Sequence, residues 1–135
     1  MSYKLNPITG KLDYYQQVII SLIGACSDET TALTTGTGKL TFRLPYDFTL
    51  SEVRASLTTA QSSGSIFTVD INQNGTSILG TKLTIDNGEK TSVTAATAAT
   101  IVTSNLTNDA EMTIDIDQIG DGTAKGLKVT LIGFI

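Results

Sequence analysis

Apolar and polar residues alternate with a period of two along most of this chain. In residues 38–57, GKLTFRLPYDFTLSEVRASL, Leu40, Phe42 and Leu44 alternate with Thr41 and Arg43. After Pro45 the pattern resumes, with Val53, Ala55 and Leu57 set against Glu52, Arg54 and Ser56. Such alternation puts apolar side chains on one sheet face and polar ones on the other. Pro45 cannot donate to a ladder, so it belongs at a strand end. The unit therefore reads as two half-buried strands joined at a proline corner, which need a second sheet to cover them.

The same period recurs downstream. Phe67, Val69 and Ile71 alternate with Thr68, Asp70 and Asn72, and Asn74-Gly75 follows as a strong hairpin signal. Leu83 and Ile85 mark a short strand before a second hairpin-type turn at Asn87-Gly88. Met112, Ile114 and Ile116 point in, with Thr113, Asp115 and Asp117 out. The chain ends on LKVTLIGFI, a strand apolar enough at its end to be central or buried at an interface. Residues 18–26, VIISLIGAC, form a short continuous apolar run that predicts a buried strand. Residues 89–103, rich in Ala and Thr, lean towards extended structure. About eight short strands separated by Gly, Asn and Ser turns predict an all-β fold, an antiparallel jelly-roll-like β-sandwich.

Residues 1–17, MSYKLNPITGKLDYYQQ, stand apart. Tyr3, Leu5, Ile8, Leu12, Tyr14 and Tyr15 are spaced singly, following neither a helix face nor a strand alternation. Pro7 biases Asn6 towards extended backbone, and Thr9-Gly10 reads as a turn. The segment predicts an extended N-terminal arm ahead of a domain at 18–135. Two readings fit it: a self-packed terminus, and an arm that docks on a partner through Tyr3, Leu5, Pro7, Ile8, Leu12, Tyr14 and Tyr15.

Composition narrows the function classes. Charged residues are 16% of the 135, below the ~25% usual in soluble domains. The net charge of −4, with no basic cluster, argues against nucleic acid and against an anionic membrane surface. The chain has no histidine, which excludes Ser–His and Cys–His catalysis and Cys/His zinc sites. The single cysteine, Cys26, reads as a buried structural thiol. Nothing at the N-terminus resembles a signal peptide, and no segment approaches the ~20 apolar residues of a membrane span. The expectation is assembly in a cytoplasm.

Few residues are left that could carry chemistry. Asp115 and Asp117, two apart on one strand, would lie about 7 Å apart on one face, within glycosidase range. Two solvated outer-face acids fit the same pattern. Asp115, Asp117 and Asp121 with Gly122 form a loose acidic group that does not match EF-hand spacing. No cofactor, metal or catalytic residue is expected. Tyr46, beside Pro45, is the one domain aromatic expected to face out, a candidate glycan contact.

Three runs carry a resemblance: KLTFRLPYDFTLSEVRASLTTA, FTVDINQNGTSILGTKLTIDNGE and MTIDIDQIGDGTAKGLKVTLIG. Between Leu40 and Gly133 the chain resembles a β-sandwich module of tailed-bacteriophage virion proteins, which occurs in tail fibres, head fibres and capsid decoration proteins. YKLNPITGKLDYY resembles short connecting segments in such proteins. The resemblance implies a jelly-roll-like fold, homotrimers and a structural role in the virion, and it carries over no catalytic residue. A lone module behind a short arm suits a capsid decoration or head-fibre protein, with the arm binding the capsid or other virion proteins. The alternative is a tail-associated module that binds a receptor or cell-surface glycan.

Overall fold

The computed structural model describes the backbone of residues 2–6 and 11–15 and the whole of residues 17–135. Among the described residues all regular structure is β. Eight strands build the sandwich: β3 (Ile19–Ala25), β4 (Gly36–Arg43), β5 (Phe48–Ser56), β6 (Phe67–Gln73), β9 (Leu83–Ile85), β11 (Asn105–Leu106), β12 (Glu111–Gln118) and β13 (Lys128–Phe134). They pair as nested antiparallel partners: β3 with β13, β4 with β12, β5 with β11, β6 with β9. Rolling this nested ribbon brings β13 beside β5 and β12 beside β6. One sheet then runs β11-β5-β13-β3, and the other runs β4-β12-β6, with β9 on the outer side of β6. This is jelly-roll connectivity, two Greek keys closed on each other.

The alternation read from the sequence selects the core. Phe67, Val69, Ile71, Met112, Ile114 and Ile116 face inward from one sheet, and Val53, Ala55, Val129 and Leu131 from the other. The proline corner is a crossing between sheets. β4 ends at Arg43 in one, and β5 starts at Phe48 in the other. Leu44 is clamped there by backbone bonds to Ala110 and Asp109. Asn74 and Gly75 both take positive φ, 49° and 84°, the type I′ geometry of a two-residue hairpin. It joins β6 to β7 (Thr76–Ser77). Beyond it, β8 (Leu79–Thr81) pairs with β10 (Thr100–Ile101) as a small flap.

Three expectations are corrected. Residues 18–26 do not form a buried strand. Among the described residues β3 pairs only with β13 and is the edge of its sheet, so alternate residues meet solvent and Ile19 is 70% and Ile23 69% exposed. Asn87-Gly88 turns the chain, but no returning strand pairs with β9 across it. The Gly88 N–H bonds the Gln61 carbonyl instead, at 2.7 Å. Residues 89–103 are mostly irregular, meeting β5 through a bridge from Thr91 to Ser56, while β10 pairs with β8 outside the two sheets. Their alanines and threonines lack the bulk to hold a strand against the core.

The arm is extended, but it is folded on itself. β1 (Ser2–Asn6) and β2 (Lys11–Tyr15) pair antiparallel, Tyr3 opposite Tyr14 and Leu5 opposite Leu12. Each strand does alternate. The intervening Pro7–Gly10 breaks the phase and hides the pattern when the segment is read as one run. Pro7, Ile8 and the Thr9-Gly10 turn lie outside the described residues, as do the side chains of Tyr3, Leu5, Leu12, Tyr14 and Tyr15.

Ile114 on β12 is central to the core, 1% exposed. Ile114→Ala is expected to cost about 2–5 kcal/mol, read as a lower midpoint in urea. Thr113→Ala, on the opposite face of the same strand, should leave the midpoint nearly unchanged.

Candidate functional site

The acidic residues noted in the sequence occupy the outer face of the β4-β12-β6 sheet, where they are tied to neighbours. Register places Asp70 directly opposite Asp115. Asp70 is only 6% exposed. Its Oδ1 accepts from the Ser77 hydroxyl at 2.6 Å and the Ile71 N–H at 2.9 Å. Asp115 accepts from the Gly38 N–H at 2.8 Å and from Asn72 Nδ2 at 2.9 Å. Lys82 donates to Asp117 and lies 3.8 Å from Asp70. The hydrogen bond to Asp117, ahead of the nearby carboxylate charges, holds the Lys82 amine above its ordinary pKa. Asp115 and Asp117, whose spacing fits both a carboxylate pair and two separate outer-face acids, have separate structural partners. Asp121 belongs to another network, held below its ordinary pKa first by the Thr123 hydroxyl and then by the Thr123 N–H and Ser63. Among the described residues no group of three His, Cys, Asp or Glu is placed to hold a metal.

One polar centre gave no signal in the sequence. Gln61 sits in a loop, yet it is 1% exposed. Its amide donates to the Ser65 carbonyl at 2.7 Å and to Asn87 Oδ1 at 2.6 Å. Its Oε1 accepts from the Gly120 N–H at 2.6 Å. This side chain joins three loops, with Gly120 packed against it so closely that a Cβ would collide. Among the described residues no buried side-chain polar atom lacks a partner.

Cys26 is buried, and desolvation pushes its thiol up to about 11, so it is a poor nucleophile at neutral pH. Tyr46 is half-buried and leans on Phe48, with ring centroids 6.5 Å apart and planes tilted by 48°. One side of that ring is therefore already in use.

Of the seven exposed large apolar side chains among the described residues, Ile66, Val93 and Val102 lie apart and the other four fall along one side of the sandwich. Between the free edges of β3 and β4 opens a cleft of about 320 Å³, lined by Leu22, Gly24, Leu40, Phe42, Ile114 and Leu131. Around the corner, on the outer face of the β3-β13 pair, Val18, Ile19, Ile23 and Ile135 are exposed. Continuous sequence runs into this face from the arm, only Gln16 to Val18 separating β2 from β3. Comparison with protein-family models, characterised proteins and solved structures returned no match.

Two outcomes follow. Gln61→Ala removes three hydrogen bonds and should cost about 0.5–1.5 kcal/mol for each one lost, measured as a fall in the urea midpoint. Glu29 is held below its ordinary 4.5 by hydrogen bonds from Lys128 first and then Thr58. A depressed folded pKa stabilises above the unfolded value, so this contribution fades as pH falls below 4.5 through the folded value. In thermal melts, Glu29→Gln should lower stability at pH 7 and narrow its gap from the parent as the pH drops below that point.

Proposed function

We propose that this chain is a non-enzymatic structural protein of a tailed-bacteriophage virion, a capsid decoration or head-fibre protein. In this reading it is assembled in the host cytoplasm. Residues 1–17 attach it to the capsid or another virion protein, and residues 18–135 are displayed as a homotrimeric sandwich. The observation that carries the reading is the division of the surface. Asp70, Asp115 and Asp117 are each bonded to a neighbouring side chain, whereas four of the seven exposed large apolar side chains among the described residues, Val18, Ile19, Ile23 and Ile135, gather where the arm joins the domain. Surfaces of that kind serve protein contacts. Jelly rolls are a common capsid and lectin architecture, which is support by analogy of fold, and the sequence resemblance points the same way.

A tail-associated glycan-binding module is the rival. It gains little from Tyr46, whose ring is partly occupied by Phe48. Deleting residues 1–17 is expected to abolish co-sedimentation with particles while leaving a cooperative thermal melt. A truncated protein that still decorates particles would remove the anchoring role, and saccharide binding lost on Tyr46→Ala would favour the rival.

A further inference from the structure

The outer face of the β3-β13 pair carries apolar surface that the sandwich itself does not use. β3 is a free edge whose register with β13 runs unbroken over all seven of its residues. It has no charge, no proline and no bulge, and these are the devices that normally guard an edge against pairing. On its outer side Ile19 stands opposite Phe134, Ser21 opposite Ile132, and Ile23 opposite Thr130. The Ile135 N–H bonds the Val18 carbonyl at 3.2 Å, so the ladder and its apolar strip continue to the end of the chain.

The hairpin that precedes this strip has a matching pattern. Its register sets positions 3 and 14, and 5 and 12, in opposite pairs, so Tyr3, Leu5, Leu12 and Tyr14 share one face of the ladder. Ser2, Lys4, Asn6, Lys11, Asp13 and Tyr15 share the other. A two-stranded hairpin is marginal in water unless a face is covered. Its own strip is hard to reach. Val18 already belongs to the β3-β13 ladder, leaving Gln16 and Gln17 as the link. From Tyr15 to Val18 the chain spans at most about 10 Å, roughly the separation of two stacked sheets. A reversal that laid the hairpin back on its own domain would have to be made with that link at full extension. The strip of another copy carries no such restriction.

We propose that the β1–β2 hairpin of one copy lays its Tyr3, Leu5, Leu12 and Tyr14 face over the Ile19, Ile23, Ile132 and Phe134 strip of the next copy. The contact is head-to-tail, which closes into a ring when the rotation between copies is one third of a turn, and it rests on the trimer of the functional reading above. The hairpin's opposite, polar face is left for the virion.

Mass photometry and native mass spectrometry of the full-length protein test this in solution. The parent should be a trimer. Ile19→Glu with Ile23→Glu, and separately Leu5→Asp with Leu12→Asp, should each give monomer with the thermal melt of the domain retained. The strip positions are exposed in the folded domain, and the thermal melt reads whether either variant disturbs folding. A monomeric parent overturns the exchange. So does a trimer that survives the arm variant but not the strip variant, which would mean strip-to-strip contact. Copies carrying Leu12→Cys and Ile23→Cys under different tags, mixed and oxidised, should cross-link to each other. A chain carrying both substitutions that closes an internal disulfide, and keeps single-chain mass, shows the hairpin on its own domain and overturns the proposal. Attachment to particles is read separately, so a monomer in solution leaves the anchoring role standing.

Discussion

The pairing of the last strand with the first strand of the sandwich is the constraint on which the rest depends. β13 lies between β3 and β5, bonded to both along nearly its whole length. Its inner residues Val129 and Leu131 are core, and Gly133 lets the Thr49 backbone approach where any Cβ would collide. Because β3 and β13 meet across the whole sequence, every strand between them must nest inside that pair. The partner pairs β4-β12, β5-β11 and β6-β9 follow. Contacts of such large sequence separation carry a large loop-closure cost and form slowly. They reward that cost only when the two apolar faces close on each other.

The nesting also decides where the surface is unfinished. One side of the sandwich is closed by the 86–103 excursion, through the Thr91 bridge and the β8-β10 flap. The opposite side ends in two free edges, β3 and β4, with an apolar cleft between them. The two outer faces differ in kind. That of the β12 sheet is polar: Ser77 donates to Asp70, Lys82 pairs with Asp70 and Asp117, and Asn72 donates to Asp115. That of the β13 sheet mixes the Glu52–Arg54 and Glu29–Lys128 pairs with an uncharged aliphatic strip. A protein arranged this way has invested its polar groups in its own rigidity. It presents apolar area where its N-terminal segment joins the domain, and the proposed assembly role rests on that division.

Much of the fold was legible because period-two alternation is a local property. A strand with one buried face must carry it in its own residues, as Phe67, Val69 and Ile71 or Met112, Ile114 and Ile116 do. The type I′ hairpin was legible for the same reason, since Asn74 and Gly75 tolerate the positive φ that it needs. The edge position of β3 was not. A continuous apolar run fits a central strand and an unguarded edge equally, and only the neighbours tell them apart. Gln61 was invisible too, because two of its three partners, Asn87 and Gly120, come from distant parts of the chain. The arm's alternation was obscured by the break at Pro7–Gly10 until the register of its two strands was known.

The sequence by itself determined an all-β sandwich, its core residues, and the lack of histidine chemistry. Each of those is written in residue type and spacing. The tertiary structure alone decided which strands became edges, which acids were neutralised by partners, and which apolar side chains were left facing solvent. Those outcomes depend on which distant segments come to lie side by side, and for Ile19 and Ile23 that meant one neighbour, β13, where a buried strand would have had two.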